Sequence, residues 1–135
     1  MIKFIPIAAQ AGITGFESPA AEYTQLDLSL DKILIDHPSA TYLGFVEGES
    51  MTGVGIFPND LLIVSRAETV NTGDVIVATL NGVFVCKIAD TKNKQLISYS
   101  KRHKKYQLTD GDEFIVEGVV TRSIRLHRPL KKGFT

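Results

Sequence analysis

Two residues of this chain, Ser50 and Lys87, have types and settings that suit nucleophilic catalysis. Ser50 follows Gly48-Glu49 and precedes Met51, and Lys87 lies in the strand-like run Val83–Ile88. A serine hydroxyl is a poor nucleophile until a base takes its proton, and lysine can be that base if burial lowers its pKa. Taken alone, the pair also fits an ordinary turn serine and a strand-end lysine that extends into water.

The neighbours of Lys87 predict a setting poorer in water than most lysines have. In a strand, Val85 shares a face with Lys87, whereas Cys86 and Ile88 point to the opposite face. A lysine among apolar residues on both faces is not expected to be fully solvated. Cys86 beside Lys87 can be read as a thiol nucleophile, but adjacent strand residues point apart, so we expect a buried, apolar cysteine.

Composition limits the classes of protein that this chain can represent. Its 135 residues predict one domain, and 44% hydrophobic with 22% charged residues is typical of an ordinary globular protein. Fifteen basic and fifteen acidic residues argue against a protein that mainly grips nucleic-acid phosphates. One cysteine permits no internal disulfide and suits a reducing cytoplasm. We expect no metal site from His37, His103 and His127, no membrane span and no secretory signal.

The chain divides into a predicted arm, residues 1–24, and a predicted β-rich domain, residues 25–135. Glycines and Pro19 break regular structure in the arm. A short helix is predicted over Leu28–Ile35, capped by Asp27 or Ser29 and ended by His37-Pro38. Predicted strands follow at Thr41–Glu47, Asp60–Val64, Asp74–Leu80, Val83–Ile88, Gln95–Tyr99 and Phe114–Arg128. These elements predict a mainly β, mostly antiparallel domain.

Turn and charge patterns complete this description. Asn81-Gly82 is a strong signal for a hairpin between two of the predicted strands. The basic clusters Lys101–Lys105 and Arg122–Lys132 are expected to be solvated faces, and contact with a partner is the less favoured interpretation.

Four stretches give the chain a resemblance to the LexA-type self-cleaving Ser-Lys peptidases, and within them to the UmuD-type accessory proteins of translesion DNA synthesis. The stretches are Gly15–Tyr23, His37–Tyr42, Gly48–Val64 with its Gly-Glu-Ser-Met element, and Gly73–Lys87 with its Gly-Asp pair. The resemblance implies a compact LexA/UmuD-like domain with an extended arm, in which Ser50 is the nucleophile and Lys87 the general base.

The resemblance also implies that Ser50 cuts the same polypeptide's arm, or a partner's arm, just before a glycine. The matching bond is Thr14–Gly15, where the chain departs from its relatives, which usually carry alanine or cysteine before the glycine. A β-branched threonine is stiffer and bulkier at the attacked carbonyl, so slow cleavage is expected. Ala11–Gly12 is the second candidate, although the interval from Gly15 to Ser50 favours Thr14–Gly15.

The implied role is a self-processing regulator of the SOS response. Cleavage would be stimulated by RecA on single-stranded DNA, and residues 15–135 would then join a Y-family DNA polymerase as an accessory subunit. The resemblance further implies a cytoplasmic homodimer, with no cofactor. Residues 1–14 are too few for a helix-turn-helix domain, so we do not expect a repressor. Two alternatives stay open: a proteolytically idle binding module, and a peptidase that acts on other proteins.

Overall fold

The computed structural model describes residues 29–133, and its main feature is one seven-stranded sheet. The strands are β1 (Thr41–Phe45), β2 (Leu61–Ser65), β3 (Val75–Leu80), β4 (Val83–Asp90), β5 (Gln95–Tyr99), β6 (His103–Gln107) and β7 (Phe114–Ile124). Their order across the sheet is β1-β2-β7-β3-β4-β5-β6, and every pairing between described strands is antiparallel. This confirms the predicted fold class.

The described residues contain one short α-helix and two 3₁₀ turns besides the sheet. Helix α1 covers Leu30–Leu34, and single 3₁₀ turns cover Pro38–Ala40 and Thr52–Val54. The chain divides into two units between Asp36 and His37, so α1 belongs to the first unit and the sheet to the second. The helix is shorter than predicted: Ser29 and Ile35, which flank it, both have extended backbone angles.

Most predicted strands are present with shifted ends, and one strand was missed. β5 has the predicted bounds, whereas β7 ends at Ile124 and not at Arg128. The hairpin at Asn81-Gly82 is confirmed, with φ angles of 50° and 84° that suit a type I′ turn. The missed strand, β6, lies in the basic cluster after Lys101. All of its residues are exposed, so the cluster is a solvated face as expected, but it pairs with β5.

Two buried clusters pack on opposite faces of the sheet. The first consists of Val46, Met51, Ile56, Leu62 and Val64, and the second of Ile76, Ala78, Ala89, Leu96 and Val119. The alternation of β4 follows this division, because Cys86 and Ile88 pack on the first cluster and Val85 on the second. Lys87 therefore projects from the face that carries the second cluster.

Candidate active site

Ser50 lies on a loop between β1 and β2 that is closed at its base. The Val46 N–H donates to the carbonyl of Asp60 at 2.9 Å, and the Asn59 N–H donates to the carbonyl of Val46 at 2.9 Å. Next to Ser50, the side chain of Met51 is only 1% exposed and belongs to the first cluster. Burial of this side chain anchors the turn that carries Ser50.

The same loop is attached to the sheet through β5. The Tyr99 N–H donates to the Ser50 carbonyl at 2.7 Å. Gly53 lies so close to β5 that a Cβ on it would overlap the Tyr99 ring and come within 2.8 Å of the Ser100 carbonyl oxygen. A glycine is therefore required at this position for the loop to approach β5 closely.

An ion pair between a buried carboxylate and a half-exposed guanidinium supports the loop from its other end. Asp60 is 2% exposed; its Oδ1 accepts a hydrogen bond from Arg125 Nε at 2.7 Å, and its Oδ2 accepts one from the Phe57 N–H at 2.9 Å. Arg125 Nη2 also donates to the carbonyl of Gly55 at 3.1 Å. The hydrogen bond from Arg125 is the main cause that holds the pKa of Asp60 below its usual value.

Lys87, on β4, is half-buried and has a hydroxyl partner. Its Nζ donates to Ser98 Oγ at 2.6 Å. Desolvation is the main cause that lowers the pKa of Lys87 below the usual 10.5; the neighbouring Cys86 acts in the opposite direction and the positive charge of Lys104 lowers it further. Burial thus favours the neutral amine, which is the form that can accept a proton.

Ser50 and Lys87 line one open cavity of about 560 Å³. Its other lining residues are Glu49, Thr52, Ser98, Ser100, Lys101, Arg102 and Lys104. The structure thus brings the two candidate residues to the same cavity. The candidate cleavage residues, Thr14 and Gly15, and the second candidate bond, Ala11–Gly12, lie outside the described residues.

Sequence reasoning did not identify Ser98 as part of this site. Ser98 belongs to no recognisable catalytic motif. Its position next to Lys87 could have been inferred from the register of β4 and β5, if that register had been known. The Ile88–Ile97 pair sets Lys87 opposite Ser98 one step further along the two strands.

The cysteine and two of the histidines considered as candidates, Cys86, His37 and His103, do not line the cavity of Ser50 and Lys87. Desolvation raises the pKa of Cys86 to about 11, which makes its thiolate a minor species at neutral pH. His37 Nε2 lies 3.5 Å from Glu68 Oε1, and the His103 ring packs edge-on against Tyr99. Within residues 29–133, no group of His, Cys, Asp and Glu side chains is arranged to hold a metal ion. No helix in the same range has the length and apolar character to cross a membrane.

Comparison with known proteins identifies the family. Residues 4–121 match the Peptidase S24-like family. The chain belongs to this family. It is 34% identical to Protein MucA of Escherichia coli over 128 residues, which cover 93% of this chain and 88% of MucA. It is 31% identical to Protein ImpA of Salmonella typhimurium over 126 residues, covering 93% of this chain and 87% of ImpA.

More distant similarity extends to repressors of the LexA type. A LexA repressor of Pseudoalteromonas atlantica is 30% identical over 110 residues, covering 78% of this chain and 52% of the repressor. The comparisons confirm the prediction that this chain is a UmuD-type member of a LexA-like peptidase family related to SOS mutagenesis.

Proposed function

We propose that this chain is a serine endopeptidase that cuts its own N-terminal arm with Ser50 as nucleophile and Lys87 as general base. The observation that carries the proposal is the shared cavity, which is lined both by Ser50 and by a lysine whose pKa is lowered by desolvation. A peptidase needs both a nucleophile and a base in one accessible site, and membership of the Peptidase S24-like family supports the same chemistry.

The acylation half of the proposed reaction has two proton transfers. Neutral Lys87 accepts the proton of the Ser50 hydroxyl while Ser50 Oγ bonds to the carbonyl carbon of Thr14. Backbone amides of Ser50 and Met51 hold the developing oxyanion. The ammonium of Lys87 then returns the proton to the leaving amine of Gly15 as the peptide bond breaks. Water hydrolyses the resulting ester and restores Ser50.

The biological role that we propose follows from the UmuD-type relatives. RecA on single-stranded DNA favours the state in which the arm is docked at the cavity, which shifts a conformational population without adding a catalytic group. The shortened chain, residues 15–135, then serves as the accessory subunit of a Y-family DNA polymerase. We propose that it acts in the cytoplasm as a homodimer, the commonest symmetric assembly, and that it makes little direct contact with nucleic acid.

The cleavage test uses the full chain with RecA, ATP and single-stranded DNA, followed by intact mass and N-terminal sequencing. We expect a product that begins at Gly15. Ser50→Ala should give no product, whereas Ser100→Ala, which removes another hydroxyl from the same cavity, should still give it. Cleavage by Ser50→Ala at the parent rate would refute the proposed nucleophile.

A proteolytically idle binding module is the second candidate, and Thr14 at the attacked carbonyl favours it. That candidate predicts an intact parent chain both with RecA and after long incubation at alkaline pH. It also predicts that the uncut chain supports translesion synthesis as well as a chain that begins at Gly15. Reconstitution with the polymerase subunit therefore separates the two candidates.

A further inference from the structure

Two consecutive residues of β5 contact the two members of the candidate dyad. The Tyr99 N–H donates to the Ser50 carbonyl at 2.7 Å, and Ser98 Oγ accepts from Lys87 Nζ at 2.6 Å. Because backbone pairing fixes β5 between β4 and β6, these two contacts are fixed relative to each other. β5 therefore connects the nucleophile loop to the strand that carries the base.

Lysine needs such a contact more than other bases do. Its side chain has four rotatable bonds, so a free amine samples many positions. A neutral lysine nitrogen has two N–H groups and one lone pair, and only the lone pair can take the proton of Ser50. A hydrogen bond to one N–H restricts both the position of the nitrogen and the direction of its lone pair.

We propose that Ser98 is a positioning residue for the self-cleavage reaction, whose hydroxyl accepts one Nζ–H of Lys87 and directs the nitrogen lone pair into the cavity that Ser50 lines. This role rests on the cleavage function proposed above. Ser98 keeps its own proton throughout, because the proton that Ser50 loses goes to Lys87 and then to the leaving amine. Ser98 therefore acts through Lys87 and does not touch the reacting atoms.

The proposal predicts a particular pH signature. A hydrogen bond that the ammonium donates stabilises the charged form, so loss of the Ser98 hydroxyl should lower the pKa of Lys87. A lower pKa supplies more neutral base at a given pH, and yet the reaction should slow because the base is no longer held in place. The other charged groups lining the cavity, Glu49, Lys101, Arg102 and Lys104, are unchanged by this substitution, as are Lys105 and Tyr106 on the adjoining surface and Cys86, the sequence neighbour of Lys87.

The experiment follows RecA-independent cleavage of the full chain as a function of pH in four proteins. These are the parent, Ser98→Ala, Ser98→Thr and the control Ser123→Ala, which removes an exposed hydroxyl of β7 that does not line the cavity. We expect Ser98→Ala to lower the alkaline plateau rate by about 10- to 100-fold, the range expected for a misplaced catalytic group. Its rate midpoint should move to lower pH. Ser98→Thr, which keeps the hydroxyl on a strand that tolerates β-branching, should recover most of the plateau rate.

A second measurement does not depend on cleavage. In the Ser50→Ala background, the Lys87 side chain is titrated by NMR with and without Ser98→Ala. We expect the Lys87 midpoint to move to lower pH when the Ser98 hydroxyl is removed. An unchanged midpoint, a plateau rate equal to that of the parent, or an equal loss in Ser123→Ala would each overturn the positioning role.

The two measurements also separate this proposal from the one on which it rests. If the Lys87 midpoint shifts but the parent chain is never cut, the contact between Ser98 and Lys87 is real and self-cleavage is refuted. If the parent is cut and Ser98→Ala is cut with the same pH profile, self-cleavage stands and the role of Ser98 is refuted.

Discussion

Lys87 in the cavity and Asp60 at the end of the Ser50 loop are both withdrawn from water, Lys87 partly and Asp60 almost fully. They differ in whether a neighbouring group compensates the charge. Asp60 receives hydrogen bonds from a guanidinium and a backbone amide. Lys87 has a hydroxyl partner and a second lysine, Lys104, among the groups that affect its charge. Both pKa values are lowered, which keeps Asp60 ionised and favours the neutral form of Lys87.

The comparison shows that Asp60 is suited to stabilising the fold, whereas Lys87 is suited to accepting a proton. At neutral pH the ionised Asp60 contributes its full stabilising effect, because its folded pKa lies below the unfolded value of 3.8. The ammonium of Lys87 is disfavoured by folding at the same pH, because its folded pKa lies below 10.5. An uncompensated charge costs stability and supplies a base that gives up its proton more readily.

The largest expected effect comes from removing the base without disturbing the fold. Lys87→Met should reduce self-cleavage by about 10²- to 10⁴-fold, the usual contribution of a general base. Its free energy of unfolding should not fall, because an apolar side chain of similar length replaces a charge that folding disfavours. Intact mass over time and urea unfolding measure the two effects. A variant that is as active as the parent, or strongly destabilised, would break the comparison.

At Asp60 we expect the main effect to be on stability and not on the chemistry of cleavage. Asp60→Ala should lower the free energy of unfolding by about 2 kcal/mol, because it removes the charged acceptor of the hydrogen bonds from Arg125 and the Phe57 N–H. Asp74 is the matched control, because its Oδ2 accepts the Asn71 N–H at 2.8 Å at a more exposed position. Asp74→Ala should cost about 1 kcal/mol. Equal losses in chemical denaturation would mean that the Arg125 pair contributes no more than an exposed turn.

The pH dependence sharpens the contrast. Cleavage without RecA should rise about tenfold per pH unit until the pKa of Lys87 is reached, and then level off, because only the neutral amine is a base. The stabilising effect of Asp60 should be constant above pH 3.8 and be lost as pH falls through its lowered folded pKa. Rate–pH profiles and acid unfolding of the parent and Asp60→Asn test these windows. A cleavage rate that falls between neutral and alkaline pH, in folded protein, would indicate another base.

The smallest effect is expected at Thr14, which lies outside the described residues. Thr14→Ala should speed cleavage a few-fold at the same bond, because it removes the branched β-carbon beside the attacked carbonyl. Gly15→Glu should prevent cutting there, because a large charged side chain then occupies the close-approach position. N-terminal sequencing reads both results. A Gly15→Glu product that begins at Gly12 would show that Ala11–Gly12 is the true site.

Local sequence signals were sufficient where a structural feature depends on neighbouring residues. Asn81-Gly82 specified its hairpin, because both turn positions require positive φ and these residues tolerate it. The strand-forming residues of Gln95–Tyr99 predicted β5 with its observed bounds. The alternation of side chains along Val83–Ile88 predicted that Cys86 is apolar in character and that Lys87 is partly withdrawn from water. The Gly-Glu-Ser-Met element and Lys87 suggested the candidate dyad, but the resemblance of four stretches to Ser-Lys peptidases was needed to favour it over a turn serine and a strand-end lysine.

What the tertiary structure alone decided depends on residues far apart in the chain. β6 was missed because its exposed, lysine-rich residues have no apolar face, and it forms by backbone pairing with β5. The hydrogen bond between Asp60 and Arg125 joins the residue before β2 to the residue after β7, and the register of β4 with β5 places Ser98 opposite Lys87. A period-two pattern shows which face a side chain takes but not which strand lies beside it. The positions of Ser98 and Arg125 at these charged groups were therefore determined by sheet topology and register.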